Sequence, residues 1–319
     1  MGEYATARRP RIFVVGSYMH AFVVRAPRLP NDGETVFGTD SEIGPGGKGS
    51  NQAVAAARLG AAVTILARVG LDPFGDAARA LWRREALDEQ FVQQVADRPS
   101  GMAFIMVDGG GQNRIVVTPG ANDELDARAA DEAESAIAAA DIVVAQFEAP
   151  ASVVERAFVL ARRHGVRTIL NPAPAREVSD SLLALADVIT PNESEAEIMT
   201  GIAASGQGRE RAAAALRARG GGTVALTLGE DGAYVLDDTG GRYVPGVRVP
   251  VTDTTGAGDA FTGALAVALA RGAAIDDAVA LANAAGAFCV TKPGVVPGLG
   301  RESDLRALGA TPAMERETR

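Results

Sequence analysis

DIVVAQF, residues 141–147, opens the stretch whose rhythm decides the fold. A short β-branched run gives way to the helical pattern SVVERAFVLARRHG. Next come VRTIL, a helical segment near SDSLLALA, the run DVIT, a helix from Glu193, and TVALTL at 223–228. Runs of this length alternating with alanine-rich helical segments specify parallel strands joined by crossover helices, buried on both faces. The expectation is an α/β domain with a mostly parallel sheet.

Residues before this stretch depart from that rhythm. RIFVVGS (11–17) is followed by FVVRA and ETVFG with proline and Asn31-Asp32-Gly33 turns but no helix, which reads as a small antiparallel sheet. GMAFIMVD (101–108) and RIVVT (114–118) flank GGGQN as a hairpin of the same sheet. The expected division gives 11–16, 41–100 and 119–308 to the α/β domain and 17–40 with 101–118 to the small sheet. The ends, 1–10 and 309–319, are expected to be flexible.

In a doubly wound sheet, ligands bind beyond the carboxyl ends of the strands, where loops converge and helix N-termini point inward. Here DIVVAQF runs into Glu148, VRTIL into Asn171 and NPAPAR, DVIT into PNESEAE with Asn192 and Glu195, and TVALTL into GEDG. Turn and capping needs explain any one of these loops. Four in succession point to one shared pocket.

Bulk properties narrow the partners. Among 319 residues, 40 acidic and 31 basic side chains give a net charge of −9, with no basic block for a nucleic-acid backbone. One cysteine, Cys289, precludes an intrachain disulfide, and with only His20 and His164 no Cys/His metal cluster can form. MGEYATARRP lacks an apolar signal core, and the most apolar later stretch is broken by Arg271, so neither a membrane span nor export is expected. A soluble, cytoplasmic protein is the expectation.

Two glycine-rich segments carry the chemistry. In GPGGKGSNQAVAAARLG (44–60), Gly44, Gly46 and Gly49 literally satisfy G-x-G-x-x-G, but a dinucleotide fingerprint needs a preceding core strand within a βαβ unit and here that strand belongs to the irregular region; Walker A fails because Gly49 follows Lys48. What remains is a set of backbone amides and one ammonium at a helix start, with Asn51 and Gln52 adding polar groups, suited to hydroxyls or negative charge. In TDTTGAGDAF (252–261), Gly256, Ala257 and Gly258 let amides approach a ligand oxygen at another helix start. Asp259 there is either an ordinary N-cap or a base. A reaction that gathers charge on a phosphoryl group while taking a proton from an alcohol accounts for an acid beside an anion hole.

Taken in order, GETVFG, GGKGSNQAVAAARLGA, NPAPAR, ITPNESEAE, TLGEDGA and DTTGAGDAFTGAL resemble the ribokinase, or PfkB, family of carbohydrate kinases over nearly the whole chain. The resemblance implies a three-layer α/β/α domain with a β-sheet lid, often shared across a homodimer. It implies Asp259 as catalytic base, the amides of Thr255 to Gly258 as anion hole, and Gly46, Gly47, Lys48, Asn51 and Glu148 around the sugar. Asn192 and Glu195 would organise Mg2+ and the phosphates of ATP through water. Thr227, Gly229, Gly232 and Asn283 would line the nucleotide. Asp253, Thr255 and the carbonyls near Cys289, Lys292 and Gly294 match a monovalent-cation loop usually filled by K+.

One departure stands out. Where the family carries asparagine and aspartate after the first strand, GSYMHAF places Met19 and Ala21. Losing a charge-assisted contact to sugar hydroxyls costs ~1.5–3 kcal/mol. Tyr18 and His20 cannot substitute if 19 and 21 face the pocket, because strand residues alternate. The expectation is therefore a kinase for the primary hydroxyl of a ribose-like sugar, with a nucleoside or a modified or deoxy sugar as the alternative. A non-catalytic sugar or nucleotide sensor is a further reading, and a nicotinamide-dependent oxidoreductase lacks its fingerprint.

Overall fold

The structure, a computed structural model, describes residues 8–309. Its main sheet has nine strands: β1 Arg11–Val15, β4 Ala62–Gly70, β5 Asp88–Val95, β8 Ile142–Ala145, β9 Arg167–Leu170, β10 Val188–Ile189, β11 Thr223–Thr227, β12 Gly232–Asp237 and β13 Gly240–Pro245. They lie in the order β13-β12-β11-β10-β9-β8-β1-β4-β5. All pairs from β11 to β5 are parallel, and β12 and β13 close one edge antiparallel.

Side chains alternating along β1 feed two cores. Ile12 and Val14 join the cluster beneath helices Lys48–Arg58, Ala257–Ala270 and Ile275–Cys289, while Phe13 and Val15 join the cluster beneath Ala151–Arg163 and Gly208–Ala218. Burial on both faces is why these strands read as continuous apolar runs. This is the three-layer α/β/α arrangement the sequence implies.

The smaller sheet has four strands, β2 Met19–Arg25, β3 Asp40–Gly46, β6 Gly101–Val107 and β7 Asn113–Thr118, in the order β3-β2-β6-β7. Three corrections to the sequence expectation arise here. The sheet is mixed, because β2 and β6 pair in parallel. Each follows closely on β1 or β5, which run the same way in the main sheet, so both enter in one direction. ETVFG forms no strand: Glu34 is held by Arg28 and by the Asn31 amides, and the ladder begins only at Asp40. The boundary expected at 40/41 therefore moves to the end of Gly46.

The expected flexible ends fall mostly at 1–7 and 310–319, outside the described residues. Residues 8–10 are instead anchored: Arg8 pairs with Asp141, Arg9 donates to the carbonyls of Gly60 and Ala61, and Pro10 accepts from Ala62. Among the described residues, no helix is long and apolar enough to cross a membrane.

Helix–helix contact sets the site. A Cβ on Gly263 would lie 2.7 Å from Ala55 Cβ and 2.9 Å from the Gln52 carbonyl, so helices 48–58 and 257–270 meet almost backbone to backbone. That closeness brings Asn51 and Gln52 to Asp259. Gly263→Val is expected to cost ~1–3 kcal/mol by overpacking, read as a lower midpoint in denaturant unfolding; an unchanged midpoint would mean that the contact is loose.

Candidate active site

The site lies beyond the carboxyl ends of β1 and β8 to β11, where three helices begin. At the first of these, Gly47 has φ 93°, and an added Cβ would sit 2.6 Å from the Met19 nitrogen, which restricts the position to glycine. The turn aims the Lys48 N–H at Glu148 Oε2, 2.7 Å away, and Ser17 Oγ donates to the same oxygen at 2.7 Å. Burial raises the Glu148 carboxyl above its ordinary range against Lys48 and Ser17. The Lys48 ammonium is pulled down by burial, but Asp259, Glu148 and Glu195 outweigh that and hold it above the usual range.

At the second helix start, Gly256 is the N-cap with φ 84° and makes no side-chain cap bond. Asp259 is thus no N-cap. Its carboxylate, 6% exposed, reaches across the helix interface to accept from Asn51 Nδ2 at 2.8 Å and Gln52 Nε2 at 3.0 Å. Asn51 Oδ1 is buried without a partner among the described residues, an acceptor waiting for a donor.

First-turn amides have no intrahelical acceptor, so the N–H of Gly258 stays available. The anion hole is narrower than expected, however. The Thr255 N–H donates to Asp253 Oδ1 at 2.9 Å and the Ala257 N–H to the Thr254 carbonyl at 3.4 Å, which leaves the N–H groups of Gly256 and Gly258 to face a ligand.

At the third start, Asn192 and Glu195 form a reciprocal capping box, with Asn192 Oδ1 accepting from the Glu195 N–H and Glu195 Oε2 from the Asn192 N–H, both at 2.8 Å. Burial raises the Glu195 carboxyl above its ordinary range against the Asn192 bond. Its second oxygen is not used by the box. One carboxylate facing a polar chamber suits Mg2+, which keeps water and takes phosphate oxygens. Among the described residues no group of three or more His, Cys, Asp or Glu could hold a metal by itself.

Two hollows meet here. A polar chamber of about 390 Å³ is lined by Lys48, Asn171, Asn192, Glu195 and Asp259. An apolar slot of about 240 Å³ is lined by Val247, Val249, Val251, Asn283, Ala287 and Val290, with Gly232 also at its wall. Thr227, Gly229, Thr254, Gly258 and Phe261 line both, so Gly258 stands at the threshold. Asn283 Nδ2 fixes the slot by donating to the Val244 and Pro245 carbonyls. A flat apolar ligand with a charged tail fits across this junction, its tail ending beside Asp259.

The segment expected to bind a monovalent cation is held by its own hydrogen bonds. Asp253 accepts from Thr255 Oγ1 at 2.7 Å and from the Gly294 N–H at 3.1 Å, and these bonds hold its carboxyl below the ordinary range although burial pushes the other way. Cys289 Sγ lies 3.5 Å from the Thr255 carbonyl, and burial, aided by Asp259 and Asp253, pushes its thiol up to about 12. Lys292 Nζ lies over the Phe288 ring, and the Lys292 N–H donates to the Cys289 carbonyl at 3.2 Å.

The alternation expected at β2 is present. Tyr18 OH bonds His20 Nδ1 at 2.9 Å, Tyr18 meets Trp82 edge-on, and His20 stacks on Phe74, all on the side away from the chamber. Ala21 lines a third hollow of about 90 Å³ with Val23, Ile105 and Thr255, rimmed by Arg25 and Glu42. Met19 departs from its expected place against substrate: it lines none of these hollows and packs its sulfur 3.8 Å from Asn122 Nδ2. Gly46 adjoins Ala21, since a Cβ there would lie 3.8 Å from the alanine's. Ser17, Gln146, Arg25 and Glu42 escaped the sequence reading; only Gln146, a polar residue closing the apolar run DIVVAQF, left a signal.

Known proteins resemble this chain in sequence and in fold. The model of the pfkB family carbohydrate kinases matches residues 9–299. The chain is 41% identical over 287 residues to the ribokinase of Haemophilus influenzae, covering 90% of this chain and 94% of that one. It is 36% identical over 285 residues to a deoxyribokinase of Salmonella typhi, covering 89% and 93%. Arabidopsis thaliana ribokinase, solved with ribose and ATP, matches with a TM-score of 0.86 at 29% identity, covering 94% of this chain and 99% of that one. The chain belongs to the pfkB family of carbohydrate kinases.

Proposed function

We propose that the enzyme transfers the γ-phosphate of ATP to the primary hydroxyl of a ribose-like sugar. The observation that carries this is the buried Asp259 carboxylate one residue from Gly258, where the apolar slot opens into the polar chamber. The base of ATP occupies the slot against Asn283, Thr227, Gly229 and Gly232, and its phosphates run to the amides of Gly256 and Gly258. The sugar lies among Gly46, Gly47, Lys48, Asn51 and Glu148, with its hydroxyl donating to Asp259. Asp259 takes the proton as the oxygen attacks phosphorus, and the amides and Lys48 stabilise the charge gathering on the transferred group. Glu195 and Asn192 would hold Mg2+ through water, which would offset the charge of the phosphates, and the loop of Asp253, Thr255, Cys289, Lys292 and Gly294 would hold K+. The enzyme works in the cytoplasm, where a lone thiol stays reduced.

Ala21 favours a second reading of the sugar. A methyl group among Val23, Ile105 and Pro45 offers no hydrogen bond, so a deoxy or modified pentose, or a nucleoside, loses less there than ribose does. ADP release measured over ribose, 2-deoxyribose, ketohexoses and nucleosides separates the two. Sugar-dependent release is expected, and Ala21→Asp is expected to raise kcat/KM for ribose by roughly ten- to a hundredfold. Silence across the panel with ATP bound contradicts the kinase reading; no response to Ala21→Asp contradicts a contact at that position.

The small sheet serves as lid and as the homodimer contact. It leaves Ile115 and Val117 exposed by 53% and 49% on the face shared with Ala21 and Ile105, and Ile43 and Val116 by 63% and 62% on the opposite face, apolar surface of the kind that partners cover. Ile115→Lys with Val117→Lys is expected to yield monomers in sedimentation; retained dimers would move the interface elsewhere.

A further inference from the structure

We infer that Gln52 is a positioning residue for phosphoryl transfer: with Gln146 and Asn171 it forms a row of buried amides, branching at Gln52, that sets the orientation of the Asp259 carboxylate. This rests on the reading of Asp259 as the base. Gln52 Nε2 donates to Asp259 Oδ1 and to Asn171 Oδ1, each at 3.0 Å; Gln146 Nε2 donates to Gln52 Oε1 at 2.6 Å; and Asn171 Nδ2 donates to the Thr190 carbonyl at 3.0 Å. Gln52 and Gln146 are 1% exposed and Asn171 is 6% exposed.

The direction of the row is forced. Both ends are pure acceptors, the Thr190 main-chain carbonyl at one and the carboxylate at the other. Turning the Asn171 amide would set its nitrogen against the Gln52 nitrogen and its oxygen against the Thr190 oxygen. Turning Gln52 would set oxygen against Asp259 and against Asn171, and nitrogen against Gln146. Only one arrangement satisfies every buried polar atom in the row.

The row is also anchored on separate elements. Gln146 and Asn171 follow the carboxyl ends of β8 and β9, and Asn171 is pinned by its N–H to the Ala145 carbonyl at 2.9 Å. Gln52 rides on the helix clamped by Gly263. Asn51 holds only Oδ2 and has an unpartnered oxygen, so by itself it leaves the carboxylate free to rotate. Gln52 fixes the other oxygen and hence the plane in which the base meets the hydroxyl.

Misorienting a reacting group by about 1 Å costs on the order of 10²-fold in rate. Gln52→Met, similar in volume but without a donor, is expected to lower kcat 30- to 100-fold (on the order of the cost above) while the KM values for sugar and ATP stay within about twofold. Gln146→Met, which only releases Gln52, is expected to cost roughly three- to tenfold in kcat. Neither substitution should further reduce the residual rate of Asp259→Asn, because a residue acting only through the carboxylate has nothing left to position.

Losses that multiply on the Asp259→Asn background, or a folded Gln52→Met enzyme within twofold of the wild-type kcat, overturn the inference. If Gln52→Met does not fold, Gln146→Met on both backgrounds decides alone. An Asp259→Asn enzyme of undiminished activity instead overturns the assignment of the base, which keeps the two failures apart.

Discussion

Asp259→Asn is expected to lower kcat by roughly 10²–10⁴-fold, the range spanned by general acid–base catalysis, with ATP affinity nearly unchanged. Asp259 lines the polar chamber and not the apolar slot, so the nucleotide base does not feel the change. The fold should tolerate the introduced amide. Its nitrogen, placed toward Asn51, would oppose the Asn51 nitrogen, but the Asn51 amide can turn and present the oxygen that now lacks a partner. Steady-state kinetics, nucleotide titration and a thermal melt together check this; full activity in a folded variant would remove Asp259 from the chemistry.

Gly258→Ala is expected to lower kcat by about 10²–10³-fold, the cost of disabling one donor of an anion hole, without loss of stability. An added Cβ meets nothing within 4 Å, and the position lies inside helix 257–270, where alanine is favoured over glycine by roughly 0.5–1 kcal/mol. The methyl group instead enters the threshold shared by slot and chamber, where phosphate must approach the amides. Gly256→Ala should behave oppositely in its melt: φ is 84° and the Cβ would press 2.6 Å from Val295 Cγ1, so stability falls. A Gly258→Ala enzyme with near wild-type kcat would show that the transferring group passes elsewhere.

Sequence made the parallel half of the sheet legible because β8 to β11 are buried on both faces and read as short apolar runs separated by helical segments. Asp259 and the glycines before it were legible because few folds need an acid beside free amides. The small sheet was harder. Its register depends on β1 and β5 delivering β2 and β6 in the same direction, a tertiary fact that no local pattern encodes. β5, DEQFVQQV, passed unassigned because an edge strand with one exposed face lacks the apolar run of its neighbours. The partners of Asp259 were partly visible: Asn51 and Gln52 are adjacent polar residues in an otherwise small, apolar helix. That Gln146 backs Gln52 across 94 positions could emerge only from the fold.

The arrangement also explains how one helix interface serves both stability and chemistry. Gly263 lets two helices approach closely enough for Asn51 and Gln52 to grip a carboxylate on the opposite helix.

The most direct test is a crystal structure with sugar and a non-hydrolysable ATP analogue bound together. The account predicts an Asp259 oxygen about 2.6–3.2 Å from the sugar's primary hydroxyl, with the terminal phosphate on the amides of Gly256 and Gly258 in line with that hydroxyl. A sugar hydroxyl directed away from Asp259, or a terminal phosphate remote from Gly258, would contradict it.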